Sequence, residues 1–180
     1  KGQERASFIL PKKPSNLLKS LLAKEIEDVA IKFDENNAYI TMSGYTMTCR
    51  FIEGRYPNYN SVIPQENPNK VTVDRQTLLN ALKRVSVFSN PANSLVKLQL
   101  SDSSIEISAQ DIDFSTAAEE TVACEYTGSA MNIGFKSSFF IEILNNIQAR
   151  DISLELSDPS RAGLIFPIDK EDGEDLLMLL

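Results

Sequence analysis

The chain repeats one pattern of apolar residues at intervals of about sixty residues, and this repeat constrains the fold more than any other feature. Each copy has apolar residues at spacings of one and four, which give a helix one apolar stripe and leave its opposite face in water. The stripes are Leu17, Leu18, Leu21 and Leu22; Leu78, Leu79, Leu82 and Val85; and Phe140, Ile141, Leu144 and Ile147. The sequence therefore predicts an amphipathic helix in each copy.

Alternation of apolar and polar residues predicts strands around each helix. One strand precedes the helix, in residues 7–10, 71–73 and 131–135 of the successive copies. Further strands follow it, in residues 29–33, 39–42 and 45–52; 96–100, 105–109 and 114–122; and 152–156, 163–166 and 176–180. Each copy is thus a β-α-β-β-β unit, and the predicted fold class is α+β, with antiparallel sheets outside and helices on one face. Asp74 and Ser137 can cap the second and third helices, because their side-chain oxygens can accept hydrogen bonds from free first-turn amides.

A proline-rich connector, residues 55–69, separates the first copy from the other two. One copy cannot close a core alone, whereas two copies place two helices on a larger antiparallel sheet. We therefore expect residues 69–180 to form one complete domain. Residues 1 to about 52 would be half of another domain, whose partner half lies upstream of Lys1. The unpaired sheet edge predicts that residues 1–52 pair with another copy or are less ordered.

Composition argues against most kinds of enzyme. The chain has no histidine, and its two cysteines, Cys49 and Cys124, lie far apart, which excludes histidine-based nucleophile arrangements and paired-thiolate zinc sites. A magnesium site at Asp111 and Asp113 is a weaker alternative, since acidic loop residues are commonly just solvated and no glycine-rich phosphate loop accompanies them. We expect no catalytic residue, no metal and no cofactor.

The cysteines and the hydropathy also bear on location. A disulfide between Cys49 and Cys124 stays open from sequence, although two reduced cysteines in a cytosolic protein are the favoured interpretation. No apolar run approaches the roughly 18 residues of a membrane span, and residues 1–10 lack the apolar segment of a signal peptide. We expect a cytoplasmic protein with no membrane partner.

Charge is unevenly distributed along a chain whose net charge is −7. Residues 1–24 are basic, with Lys1 and Arg5 among six cations against Glu4 alone, whereas residues 101–130 carry acidic residues and no cation. Helical geometry places several cations on or beside the predicted water-facing sides of the helices: Lys12, Lys13, Lys19, Lys83, Arg84 and Lys136. Cations without an aromatic platform suit loose contact with phosphates and not the reading of bases.

The connector carries a family resemblance. The segment FIEGRYPNY at residues 51–59, followed by VIP at 62–64, resembles the interdomain segment of the bacterial DNA polymerase III beta subunit, the replicative sliding clamp. Residues 88–90, 109–120 and 133–135 resemble further clamp landmarks in the same order. The resemblance covers essentially the whole chain. It implies that residues 1–64 are the second half of the clamp's middle domain plus the connector, and that residues 65–180 are its third domain without the last few residues.

The resemblance also implies a function. Clamp subunits are non-catalytic processivity factors that form head-to-tail dimers around double-stranded DNA without regard to sequence. They tether the replicative polymerase, the clamp loader and repair proteins, which bind through short linear motifs. Lys12 and Lys13 match basic residues near the family's DNA channel, whereas the other cations named above follow from helix geometry. Alone, this chain is not expected to form the native ring.

Two further sites follow from the resemblance. The positions that match the family's client-peptide pocket are Pro57, Ser61, Val62, Ala162, Leu179 and Leu180. Some relatives have an arginine where Ser61 stands, and an upstream loop and the terminal residues are lacking, so we expect a partial pocket. For residues 176–180, an ordinary core strand is an equally good interpretation. The ring interface matches Phe88, Glu119 and Glu120, although a single aromatic residue can also simply pack locally. A rival hypothesis is a helix-on-sheet protein-interaction domain without a DNA role, which predicts no threefold repeat.

Overall fold

The computed structural model describes residues 7–169, 173 and 175–180. Internal contacts divide the chain into two compact units, Lys1–Asn58 and Tyr59–Leu180. In this division the connector residues from Tyr59 to Pro64 belong to the second unit, and their assignment to the middle domain stays a prediction. Of the basic segment named above, Lys1, Glu4 and Arg5 lie outside the described residues.

The first unit has a helix followed by an antiparallel sheet. The elements are α1 (Lys12–Leu22), β1 (Ala30–Phe33), β2 (Asn37–Thr41) and β3 (Thr46–Arg50), and the sheet order is β1-β2-β3. The predicted strand at residues 7–10 is wrong, since this segment has no regular structure. It is held instead by Phe8, whose ring stacks on Phe51 with centroids 4.5 Å apart, and by the Ile52 amide, which donates to the Ile9 carbonyl at 3.0 Å.

The apolar faces of this unit are poorly covered. No residue of α1 is buried, and Leu17 is 52% exposed despite belonging to the apolar stripe. Ile31 and Phe33 on β1 are also exposed, whereas Ala38 and Ile40 on β2 are buried. The unit therefore does not close a core of its own within the described residues.

The second unit contains both remaining copies. After a single 3-10 turn, Tyr59–Ser61, its elements are β4 (Asn69–Asp74), α2 (Arg75–Ser86), β5 (Leu95–Ser101), β6 (Ser104–Asp111), β7 (Thr116–Ala123), β8 (Glu125–Thr127), β9 (Met131–Lys136), α3 (Ser137–Asn146), β10 (Asp151–Leu156), β11 (Leu164–Pro167) and β12 (Met178–Leu179). The short strand β8 was not predicted, because three residues are too few for alternation to show.

The two copies exchange their first strands. The sheet orders are β12-β11-β10-β4-β8 and β7-β6-β5-β9, so the strand before each helix pairs with the strand that follows the other helix. In register, Ile152 lies opposite Val73, and Val96 lies opposite Phe135. The expected single larger sheet is therefore wrong: exchange produces two sheets, whose apolar faces enclose one core with both helices.

Strand exchange also explains the missing strand at residues 7–10. In the second unit, a strand that precedes a helix pairs with the sheet of another copy. The first unit contains one copy, so residues 7–10 have no such sheet to join. Every described strand pairing is antiparallel, and the α+β class with repeated units and helices on one face is confirmed.

Of the two predicted helix caps, one is present and one is not. Asp74 Oδ1 accepts a hydrogen bond from the Thr77 amide at 2.7 Å and caps α2 as expected. The Ser137 cap is wrong, because Ser137 is already the first residue of α3 and follows the extended Lys136. Ser137 is buried, and its amide donates to the Ser94 carbonyl at 2.8 Å, which fastens the start of α3 to the loop before β5.

Candidate functional site

The cations predicted to face DNA are exposed on or next to the helices. Lys12, Lys13 and Lys19 lie along α1 in the first unit, and Lys83 and Arg84 lie in the last turn of α2. In the second unit α2 contacts α3, and both helices also contact strands. Each keeps a polar face in solvent, since Thr77 and Asn80 on α2 and Ser138, Glu142 and Asn146 on α3 are exposed.

Arg84 has a protein partner that the sequence did not reveal. Its guanidinium forms a two-pronged ion pair with Glu120 on β7, in which Nε donates to Oε2 at 3.0 Å and Nη2 donates to Oε1. The hydrogen bonds from Arg84 keep the pKa of Glu120 below its usual value. This ion pair joins a predicted channel residue, Arg84, to a predicted ring-interface residue, Glu120. Within the described structure, the other cation on this helical turn, Lys83, makes no ion pair of this kind.

Lys136, at the end of β9, is also exposed, and its Nζ lies 5.0 Å from the centre of the Phe139 ring. This distance is within the range of a cation–π contact. Phe139 is 58% exposed although it belongs to α3. Sequence reasoning did not single it out, because the apolar stripe of the helix begins at the next residue.

Three predicted pocket residues, Ser61, Val62 and Ala162, line one groove of the second unit, which we call the connector groove. The groove has a volume of about 590 Å³ and is lined by Ser61, Val62, Ile63, Pro64, Gln65, Glu66, Arg161 and Ala162. Backbone and side-chain hydrogen bonds shape its connector side: the Val62 amide donates to the Tyr59 carbonyl at 3.1 Å, and Asn67 Nδ2 donates to the Pro64 carbonyl at 3.1 Å. Val62 is 57% exposed, so its apolar side chain is available to a ligand.

The last residue pairs with the backbone of Gly163, which follows the groove residue Ala162. The Gly163 amide donates to the Leu180 carbonyl at 2.9 Å, and the Leu180 amide donates back at 2.8 Å. Leu180 is therefore opposite the residue that follows Ala162. Leu176, Met178 and Leu180 pack against the core, whereas Leu179 is exposed, so the segment is partly an ordinary core strand. Pro57 belongs to the first unit. Sequence reasoning missed Arg161 and Glu66, although each lies close in sequence to a predicted pocket residue.

Two of the three predicted ring-interface residues, Glu119 and Glu120, lie on β7, the outer strand of its sheet. Phe88 is exposed and follows α2. The neighbouring Val87, and Ile112 and Phe114 in the turn between β6 and β7, are also exposed apolar residues, and they were not predicted.

Asp111 and Asp113 shape the turn between β6 and β7. Asp111 is buried, and its Oδ1 accepts hydrogen bonds from the Asp113 amide at 3.0 Å and from Asn90 Nδ2 at 3.3 Å. The same Asn90 amide group donates to Asp113 Oδ2 at 3.3 Å, which ties this turn to the loop after α2. The pair thus has a structural role.

Cys49 and Cys124 are free cysteines. No helix in the described part of the chain is long and apolar enough to cross a bilayer.

Comparison with known families covers nearly the whole chain. Residues 60–180 match the family model "DNA polymerase III beta subunit, C-terminal domain", and residues 1–58 match the corresponding central domain. The Pseudomonas aeruginosa beta sliding clamp is 30% identical over 177 residues, which are 98% of this chain and 48% of that protein. The Haemophilus influenzae beta sliding clamp is 27% identical over 172 residues, or 96% of this chain and 47% of that protein. The chain spans about half the length of these curated relatives.

Solved structures agree with the sequence comparison. A DnaN sliding clamp from Pseudomonas aeruginosa bound to griselimycin has a TM-score of 0.87 at 30% identity, covering 95% of this chain and 46% of that one. A clamp from Bartonella birtlesii has a TM-score of 0.88 at 29% identity, covering 99% of this chain and 50% of that one. The predicted clamp fold is confirmed, and the chain belongs to the DNA polymerase III beta subunit family.

Proposed function

We propose that the chain is part of a sliding clamp subunit, a processivity factor that encircles double-stranded DNA and tethers the replicative polymerase. The observation that supports the proposal is the match of consecutive central and C-terminal clamp domains along the chain. The role is non-catalytic and needs no cofactor, and the subunit acts as a homodimer in the cytoplasm. The clamp loader and repair proteins are its other partners, through short linear motifs.

The charge distribution suits a ring that slides. A protein that held DNA tightly could not move along it, so enclosure has to replace affinity, and contacts with phosphates must be weak and blind to sequence. An acidic chain of net charge −7 with cations on its helices fits this requirement. We propose Lys12, Lys13, Lys19, Lys83, Arg84 and Lys136 as the channel cations. Arg84 is the weakest of them, because its guanidinium already pairs with Glu120.

Charge reversal in the full-length subunit tests the channel. Replacing Lys12, Lys13 and Lys83 by glutamate should shorten residence on closed circular DNA by about tenfold at low salt, because contacts with phosphates become repulsive. Lys97→Glu is the matched control, since Lys97 is an exposed cation on β5 and not on a helix. Equal residence times for the triple variant and the parent would refute the channel assignment and favour an interaction domain without a DNA role.

We propose that the connector groove binds client peptides. Val62 and Ala162 supply apolar surface to this groove beside Ser61, and Leu180 pairs with Gly163, the residue that follows Ala162. Leu179 and Pro57 are included in the proposal because the resemblance implies them. Val62→Asp and Pro57→Asp should each weaken binding of a clamp-binding pentapeptide or hexapeptide by tenfold or more, because a charge would replace apolar contact area. Fluorescence titration measures this affinity, and unchanged values would refute the pocket.

The edge formed by Phe88, Glu119 and Glu120 is our proposed ring joint, facing the first domain of the neighbouring subunit. Phe88→Asp should raise the dimer dissociation constant of the full-length subunit, measured by sedimentation, because it places a charge in an apolar contact. Phe139→Asp is the matched control, being an exposed phenylalanine on α3. Equal shifts for both variants would indicate general destabilisation and not a joint.

A further inference from the structure

The turn between β10 and β11 adds a charged residue to the connector groove. Arg161 lines the groove together with Ser61, Val62 and Ala162. Among the described residues that line it, Arg161 is the cation and Glu66 is the anion. The groove therefore combines apolar surface with two opposite charges, which is an arrangement that can orient a peptide.

The guanidinium of Arg161 is held from one side. Its Nε lies 3.2 Å from Asp158 Oδ2, and Asp158 is itself fixed because its Oδ1 accepts hydrogen bonds from the Ser160 amide at 2.9 Å and from the Ser160 hydroxyl. These hydrogen bonds lower the pKa of Asp158, with the Ser160 hydroxyl as the largest cause, so the carboxylate stays ionised at neutral pH.

The terminal nitrogens of Arg161 remain available. Within the described part of the chain, the ion pair that Arg161 makes uses Nε, and the side chain is 67% exposed. Nη1 and Nη2 can donate in parallel to the two oxygens of a carboxylate, a geometry that lysine cannot reproduce. Asp158 thus orients the guanidinium without occupying the end that would meet a ligand.

Arg161 enters the groove from a different element than the connector. The connector supplies Ser61 and Val62, whereas the β10–β11 turn supplies Arg161 and Ala162. The turn therefore places a cation beside the apolar surface of Val62 and Ala162.

We propose that Arg161 determines peptide specificity in this groove. The ligand is a short peptide that places a large apolar side chain against Val62 and Ala162 and an aspartate or glutamate side chain against the terminal nitrogens of Arg161. Glu66 disfavours an acidic residue elsewhere in the groove and so helps to fix the direction of the peptide. The inference rests on the proposed peptide-binding function.

Peptide binding to the whole chain tests the proposal. The probes are synthetic hexapeptides that carry one leucine as the large apolar residue, with one aspartate moved through the other positions; each is paired with its asparagine analogue. At one position the aspartate peptide should bind about threefold to fivefold more tightly than the asparagine peptide, as for an exposed ion pair. Arg161→Gln should abolish that preference, and Arg161→Lys should retain only part of it. Arg150→Gln, which removes an exposed arginine outside the groove lining, should leave it unchanged.

The outcomes separate this inference from the function on which it rests. If the peptides bind and Val62→Asp weakens them, but Arg161→Gln leaves the aspartate preference intact, the assignment of Arg161 is overturned and the groove is not. If Val62→Asp has no effect on any peptide, the proposed groove fails and the inference fails with it. Loss of the preference in Arg161→Gln alone, with the asparagine peptide bound as before, supports the proposal.

Discussion

Asn69 offers the sharpest test of how the second unit holds the groove in place. It is buried at the start of β4, and its Nδ2 donates to the Leu156 carbonyl at 3.2 Å and to the Ser157 carbonyl at 2.9 Å. Its Oδ1 accepts from the Ser129 amide at 3.1 Å and, at 3.4 Å, from the Tyr126 hydroxyl. One side chain therefore joins the start of β4, the end of β10 and the turn before β9. Residues 158–162, which carry Arg161, follow immediately.

Asn69→Ala leaves those two carbonyls and one amide without their partner. With a net value of about 1 kcal/mol for each of the three hydrogen bonds to backbone groups, the free energy of unfolding should fall by about 3 kcal/mol. Urea unfolding followed by circular dichroism measures this loss. Asn69→Asp should cost at least as much, because a carboxylate cannot donate to Leu156 and Ser157 and its charge would be buried.

The neighbouring serine supplies a control. Ser157 Oγ is buried and has no hydrogen-bond partner among the described residues. Ser157→Ala should therefore change the free energy of unfolding by less than about 0.5 kcal/mol. A loss below about 1 kcal/mol for Asn69→Ala, or a stable Asn69→Asp variant, would refute the reasoning that these hydrogen bonds hold the turn.

Three further predictions concern caps, a turn and an uncovered face. Asp74→Ala should destabilise the chain by about 1 kcal/mol at pH 7. Because the Thr77 hydrogen bonds lower the pKa of Asp74, this difference should begin to shrink as the pH of the unfolding assay falls below the ordinary carboxyl pKa of about 4, and it should be lost once the pH is below the lowered pKa; a difference that does not shrink with falling pH would contradict the cap. Gly128 has φ +148°, and an added Cβ would lie 2.9 Å from Asn69 Cα, so Gly128→Ala should lower the free energy of unfolding by about 2 kcal/mol in urea, and an unchanged value would contradict this packing. The exposed α1 face predicts concentration-dependent association in sedimentation, which Leu17→Ser should reduce; a monomer at all concentrations would contradict it.

Local features of the sequence were sufficient to predict most elements. The apolar stripes predicted all three helices because a period near 3.6 depends only on residues within a few turns. The long strands β5, β6 and β10 were predicted because their side chains alternate between core and solvent. The Asp74 cap was also a local signal. Ser137 failed as a cap because its burial against the Ser94 loop depends on packing that no short motif shows.

The periodicity of the sequence does not predict which copies contact one another. Alternation predicts that residues form a strand but not which strand pairs with them, so the exchange of β4 and β9 between sheets was missed. The same limit applies to the site residues. Arg84 and Glu120 were assigned to different surfaces, yet they are 36 residues apart in sequence and in direct contact. Arg161 was missed although its neighbour Ala162 was predicted, because the resemblance pointed to Ala162 alone and no local pattern shows which side chains of the β10–β11 turn line the groove.

Strand exchange explains why a groove forms beside the connector at all. Since β4 joins the sheet of the third copy, the connector that leads into β4 is drawn to the side of β10, and Asn69 fixes that position. The β10–β11 turn then lies next to the connector, and Leu180 pairs with Gly163 beside Ala162. If each copy had kept its own first strand, the connector would lead into the sheet of β5 and its surroundings would be different. The groove is therefore a consequence of strand exchange between the repeated units.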